Sequence, residues 1–378
     1  MEPGLHSLLL CTDDKVVRVL RRVVSEVGIA IEHCPDADSA IQKLTRQRFE
    51  AVIVDCAAPA IASRILKGTR SAPANKRAIT VAIIDDQSAL KGAFELGAHF
   101  VLFRPVTLER TRTTFRAVRA LMKRERRRHV RIPIELAVEL DCGARKLRLV
   151  TADLGENGMA VKIKRGQKLP QSFLARFALP GTSDDIECQA EIAWEGNQVQ
   201  GIRFRDLPLE TSTQLKAWIG RQLAGEDSDE PAVSCKLTDL SSSACYLQTE
   251  SPFPVRTRLQ LLMKVGKLEL QVEGIVRVMH PAVGMGIEFT QQTPDQRARV
   301  EEFIETLVNT EGAVPNIEVR PDAIDNNAAT FSAEHITGNV GDPLLLLFRT
   351  RAGLPAELFQ AELSKQRGIP QEAAALTS

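Results

Sequence analysis

Parts of this chain occur twice at a nearly fixed distance. TADLGENGMAVKI (151–163) is echoed by LTDLSSSACYLQT (237–249), and WEGNQVQGIRFRDL (194–207) by MHPAVGMGIEFTQQ (279–292). The helical segment TSTQLKAWIGRQL (211–223) is echoed by TPDQRARVEEFIETLV (293–308). Asp153 and Asp239 stand 86 positions apart, and Gly201 and Gly286 stand 85 apart. A matching offset at separated places implies two domains of one kind. Around these echoes the apolar residues alternate with polar ones, as in IPIELAVELD, IECQAEIAW and VQGIRFRDL. That period of two predicts an antiparallel sheet or a small barrel for each copy. The second copy has little that corresponds to IPIELAVELD (132–141), so an open sheet edge is expected there, one that would pair with the first copy or with another chain as a homodimer.

Residues 7–123 have a different texture. SLLLCTDD, IAIEHC, FEAVIVD, ITVAIID and HFVLF alternate with the amphipathic stretches KVVRVLRRVVSEVG, SAIQKLTRQR, LKGAFELGA and LERTRTTFRAVRALMKR. Short apolar runs between helical ones predict βα units on a parallel sheet covered on both faces. The expected organisation is multidomain: a doubly wound α/β domain (1–123), a first β-barrel domain (124–225), a second (226–312) and an irregular tail (313–378). Within the tail, NNAATFSAEHITGNVGDP reads as loop or disorder, whereas Asp342 and Pro343 are a cap and first turn for a broken amphipathic helix that docks on its own domain.

Composition narrows the function. Lys plus Arg (49) balance Asp plus Glu (48), and aromatic residues are only 4% of the chain, so neither a broad phosphate track nor stacking platforms for nucleic acid are expected. The seven cysteines (Cys11, Cys34, Cys56, Cys142, Cys188, Cys235, Cys245) include no CxxC pair and read as reduced, buried small side chains. No stretch has the run of apolar residues that a membrane span needs, and a cytoplasmic protein is expected. GxSxG, P-loop and HExxH motifs are absent, so the chain does not read as an enzyme. Trp194 and Phe204 read as core residues.

Two places carry chemistry. At the carboxyl ends of the α/β strands stand Asp13 and Asp14, then Asp55, then Arg104-Pro105. Three carboxylates at one sheet edge suit a hard cation such as Mg2+, or they cap helices. The second place is RERRRHVR (124–131), which would serve as a solvated helix end, as a patch for nucleic acid, or as a site for one particular anion. Arginine forks suit phosphates and the O6/N7 edge of guanine, a carboxylate accepts from guanine N1–H and its amino group, and glycine lets a backbone come close to a flat base.

The acidic pair after the first strand, Asp55 with Pro59 in DCAAP, and GAHFVLFRPV resemble the receiver domain of response regulators over residues 7–123. The resemblance implies a flavodoxin-like fold, Asp55 as phosphoacceptor and Mg2+ held by Asp13, Asp14 and Asp55. Two positions depart from the family: the hydroxyl expected at the end of the fourth strand falls on Ala82 or Ile83, and the lysine before the proline is Arg104. Arg and Lys are not interchangeable at a tight site, and the domain reads as a receiver-like interaction module for protein partners.

Arg126, Arg127 and Arg131, followed by Asp153, Gly155 and Gly158 in DLGENG and by GIRF (201–204), resemble the PilZ domain, a bacterial receptor for cyclic di-GMP. The resemblance implies that Arg126, Arg127 and Arg131 grip phosphates and guanines, while Asp153, Gly155 and Gly158 border the bases. The motif serine is replaced by Gly155, a loss of one neutral hydrogen bond at about 0.5–1.5 kcal/mol, or up to roughly tenfold in affinity. Restoring the serine is expected to tighten binding. The second copy resembles PilZ through Asp239 and Ser241, but Ala244 takes the glycine position and no arginine arm precedes it. A degenerate copy without nucleotide is expected. Together these readings describe a cyclic di-GMP-binding signalling adaptor whose domains rearrange on binding. The alternatives are a scaffold that binds no nucleotide and a phosphorylation-controlled response regulator.

Overall fold

A computed structural model describes residues 4–143, 145–182, 185–205, 207–223, 232–290, 293–310, 312, 314–324 and 341–367. The linker AGEDSDEP and the segment NNAATFSAEHITGNV lie outside the described residues. The chain divides into two units, one comprising Met1–Arg124 and Pro231–Ser378, the other Glu125–Glu230.

The first unit begins with alternating strands and helices: β1 (Leu5–Leu10), α1 (Asp14–Glu26), β2 (Ile29–Cys34), α2 (Ala37–Arg46), β3 (Ala51–Asp55), α3 (Pro59–Ser71), β4 (Ile79–Ile84), α4 (Leu90–Glu95), β5 (Phe100–Phe103) and α5 (Leu108–Arg127). The strands form one parallel sheet in the order β2-β1-β3-β4-β5. This is the flavodoxin-like order, which places a switch point between β1 and β3 and brings their carboxyl ends together. β3 and β4 are buried along their whole length, as sheets covered on both faces require. Asp13 caps α1, its carboxylate accepting from the Lys15 and Val16 amides.

The other unit holds the first barrel: β6 (Ala137–Asp141), β7 (Lys146–Gly155), β8 (Gly158–Lys162), β9 (Ser172–Ala178), β10 (Asp185–Trp194) and β11 (Val199–Arg205), followed by α6 (Leu209–Gln222). The strands close in the order β10-β11-β8-β7-β6-β9. Alternate residues such as Val138, Met159, Val161, Ala175, Phe177, Ile202 and Phe204 point inward, and Leu215, Trp218 and Ile219 of α6 complete the core. Phe204 is core as expected; Trp194 is not, being 50% exposed on the outer face.

The second barrel, back in the first unit, contains β12 (Val233–Leu240), β13 (Ala244–Gln248), β14 (Thr257–Val265), β15 (Leu268–His280) and β16 (Gly284–Phe289), then α7 (Pro294–Asn309) and β17 (Asn316–Ile324). Its order, β12-β13-β16-β15-β14-β17, is also closed. The expected open edge is therefore absent. In the first barrel β6 lies between β7 and β9 and pairs antiparallel with both. In the second, β17 occupies that seat between β12 and β14, again antiparallel to both. The missing first strand is supplied from the other end of the copy, beyond its terminal helix. Residues 316–324 are thus part of the barrel and not of an irregular tail. Only closure removes a sheet edge completely, and Ile317, Val319 and Ile324 of β17 are buried in the core.

The tail ends in α8 (Pro343–Arg351) and α9 (Ala356–Arg367). Asp342 caps α8 as its sequence indicates, accepting from the Leu344 and Leu345 amides. Leu344, Leu345, Leu347, Phe348, Phe359 and Leu363 pack onto Ala244, Tyr246 and Val278, so the segment docks on its own domain. No described helix is long and apolar enough to cross a membrane.

Candidate functional site

The arginine arm begins inside α5. Arg126 and Arg127 are the helix's last two residues, and Arg127 is buried. The chain then turns through amide donations from His129 to the Arg126 carbonyl and from Val130 to the Arg127 carbonyl. Ile132 bridges to Leu154 of β7, its amide 2.8 Å from the Leu154 carbonyl and its own carbonyl 2.9 Å from the Leu154 amide. This short antiparallel pairing lays Arg131 beside the turn that joins β7 to β8. Its guanidinium donates to Asp153 Oδ1 at 3.1 Å and, from the same nitrogen, to the Gly158 carbonyl at 2.9 Å. Of the residues singled out in the sequence, Arg131, Asp153, Gly155 and Gly158 are brought together.

The two glycines have different reasons to be glycine. A Cβ on Gly155 would stand 3.0 Å from the Val130 carbonyl oxygen and 3.1 Å from Arg131 Cδ. The missing serine therefore makes room for the arm, and a serine here crowds the arm where it now lies. A Cβ on Gly158 would stand 2.1 Å from the Ile202 carbonyl oxygen. Gly158 is thus required by the close approach of β8 and β11, a reason internal to the barrel and separate from any flat ligand.

A row of outward residues crosses four neighbouring strands in register: Asp153 on β7, Ala160 on β8, Gly201 on β11 and Trp194 on β10. The Trp194 indole lies across Gly201, where an added Cβ would meet Nε1 at 2.1 Å. The sequence signal for this packing was the glycine opposite a tryptophan. The second barrel has the corresponding row of Asp239, Tyr246, Gly286 and Val278. There the aromatic cover comes from the tail, because a Cβ on Gly286 would meet Phe348 Cζ at 2.7 Å. Asp342 accepts from the Ser243 amide at 3.2 Å, and Arg349 pairs with Glu288 at 2.8 Å. The surface of the second copy that matches the arm-bearing surface of the first is covered by α8.

The acidic cluster has a cation of its own. Arg104 reaches Asp55 at 2.6 Å, Asp85 at 3.1 Å and Asp13 at 3.2 Å, each through a different nitrogen. Asp85, at the end of ITVAIIDD, joins the cluster although the sequence reading did not include it, and Asp14 opens α1 outside these ion pairs. Cys11 donates its thiol to Asp55 at 3.2 Å, and burial pushes that thiol up to about 11, so it remains protonated. The Lys15 and Val16 amides, more than Arg104, hold the Asp13 carboxyl below the usual range. Among the described residues no three His, Cys, Asp or Glu side chains are arranged to hold a metal. The expected Mg2+ set of Asp13, Asp14 and Asp55 is thus not assembled, because the guanidinium already satisfies two of its members.

The sequence matches the family model of the PilZ domain twice, over residues 125–221 and 222–306. No curated protein matches it. Among solved structures, the chain is similar to the receiver domain of a sensor histidine kinase from Pseudomonas aeruginosa PAO1, with 19% identity, 28% of this chain and 90% of that chain covered, and a TM-score of 0.26. A chemotaxis response regulator of Vibrio cholerae is 19% identical over 31% of this chain and 99% of that chain, with a TM-score of 0.29. The PilZ domain of CeSA from a cellulose-synthesizing bacterium is 24% identical over 25% of this chain and 98% of that chain, with a TM-score of 0.21.

Proposed function

Because the chain carries two PilZ domains behind a receiver-like domain, we propose that it is a cyclic di-GMP-binding signalling adaptor whose nucleotide site is on the first barrel. The observation that carries this reading is Arg131 of the arm lying on the β7–β8 turn, hydrogen-bonded to Asp153 and to the Gly158 carbonyl. In that position one guanidinium already meets the carboxylate that would otherwise accept from guanine. An incoming phosphate or guanine edge draws Arg131 toward itself, since charge-assisted bonds to a phosphodiester are stronger than an exposed ion pair. Asp153 is then released to accept from the guanine N1–H and amino groups. Arg126 and Arg127, one turn upstream, are the further cations for the two phosphates.

The second copy takes no nucleotide in this reading, since Ala244 stands for the glycine and α8 lies on the matching face. The receiver-like domain acts through protein contacts and not through a phosphoryl group, since Asp55 already holds Arg104 and Cys11. Movement of Arg131 bends the arm that leads from α5 to the first barrel, and the arrangement of the domains changes with it.

Equilibrium dialysis of cyclic di-GMP against the intact protein and its Arg127→Ala, Arg131→Ala and Asp153→Ala variants tests the site. Each variant is expected to lose at least tenfold in affinity, and retention of full affinity by Arg131→Ala sinks the assignment. Small-angle scattering with and without saturating nucleotide tests the rearrangement, and superimposable curves reject it even where binding is intact.

A further inference from the structure

Helix α5 is buried on two sides. Phe115, Val118, Leu121 and Met122 join the core beneath the parallel sheet. Thr113 and Arg124 lie on another face, since eleven residues make just over three complete turns, about 16 Å of helix. Both contact the second barrel. The Thr113 carbonyl accepts from the Ser251 hydroxyl at 2.7 Å, and Arg124 donates to Asp322 Oδ1 from Nη2 at 2.8 Å and from Nε at 3.3 Å. Between these contacts the same face carries Ala117 and Ala120, both buried and small enough to admit a close neighbour. The Arg124 and Asp322 side chains are only 13% and 20% exposed, so their pairing is shielded from salt far more than an ordinary surface bridge.

Asp322 lies on β17, the strand that fills the seat of β6. In the first barrel the strand in that seat is the one the arginine arm leads into. In the second it arrives from the other end of the copy and holds the residue immediately before Glu125. Arg124 is followed without a break in the helix by Arg126 and Arg127. A pin at Arg124 therefore restrains the last turn of α5, which carries both arginines.

We infer that Arg124 and Asp322 are a positioning pair for the arm, through which the second barrel sets the nucleotide affinity of the first without touching nucleotide. This rests on the reading above. Without the pin, the last turn of α5 is held by fewer contacts, and binding must then order more of it, a cost that positioned groups avoid.

The test uses the intact chain and the variants Asp322→Asn, Arg124→Asp, Asp322→Arg and the double charge swap. Two readouts are taken: cyclic di-GMP affinity and hydrogen exchange of residues 120–131 without ligand. Asp322→Asn is expected to weaken binding about three- to tenfold, equivalent to roughly 0.7–1.4 kcal/mol, and to speed exchange at 124–128. The swap is expected to recover most of both, which a merely destabilising substitution would not. Unchanged exchange in Asp322→Asn overturns the pin. Faster exchange with unchanged affinity overturns its role in binding. If the wild type binds no cyclic di-GMP, the functional reading fails on its own, while exchange still reports on the pin.

Discussion

Replacing Gly158 by alanine adds one methyl group at a point where β8 and β11 approach closely. The new Cβ would lie 2.1 Å from the Ile202 carbonyl oxygen, whereas real Cβ contacts essentially never fall under 3.0 Å, so the two backbones must part by roughly 0.9 Å. The obstacle is main chain and cannot rotate away. Moving a ladder hydrogen bond of ordinary length by that amount takes it beyond bonding range. One or two such bonds at about 0.5–1.5 kcal/mol each, with the loosened packing of Met159 and Ile202 beneath them, give a destabilisation of about 2–3 kcal/mol. The assay is specific because both tryptophans of the chain, Trp194 and Trp218, belong to the first barrel. Urea unfolding followed by tryptophan fluorescence should show a lower midpoint for Gly158→Ala, with circular dichroism of the other domains little changed. An unaltered fluorescence midpoint would refute the argument that strand packing, and not ligand contact alone, requires this glycine.

Other consequences follow from the same geometry. Arg104→Ala removes the guanidinium from between Asp13, Asp55 and Asp85, so Mg2+ is expected to stabilise this variant, by about 1.4 kcal/mol at ten times its dissociation constant, and to leave the wild type unmoved in thermal unfolding. Burial holds the His280 imidazole below its ordinary 6.5, with its ring nitrogens facing the Tyr246 hydroxyl and the Leu354 carbonyl. The packed state then binds fewer protons than the open one, so this contribution to tail docking is complete above about pH 6.5 and is lost as pH falls below it. Hydrogen exchange across residues 343–367, corrected for intrinsic rate, should speed up on that descent, and pH-independent protection would argue against it. Phe348→Ala uncovers Gly286 and should raise exchange in α8 and α9 at neutral pH, with equal protection in both proteins as the contrary result.

The parallel sheet was legible because each β-strand is a short apolar run bounded by amphipathic helices, and the duplication because Asp153 and Gly201 have partners at one offset. Closure of the second barrel was not legible. β17 follows its copy's terminal helix, and sequence order gives no sign that a late strand takes an early strand's place. Trp194 was misread because a tryptophan on an alternating strand usually points inward. Here the register shifts between Ile192 and Trp194, and the indole turns outward onto Gly201. The arm, Asp153 and both glycines are singled out by motif and spacing, but what each glycine makes room for depends on which backbone stands opposite. Arg104 was noted as a departure from the receiver pattern. That it would bridge three carboxylates depended on Asp85, whose loop only the fold brings to that edge.

Calorimetric titration of cyclic di-GMP into the intact protein, beside Arg131→Ala and Asp239→Ala, addresses the central claim most directly. The account predicts saturable binding in the wild type, unchanged stoichiometry in Asp239→Ala and no measurable binding in Arg131→Ala. Binding that survives in Arg131→Ala but is lost in Asp239→Ala would place the nucleotide on the second barrel and contradict it.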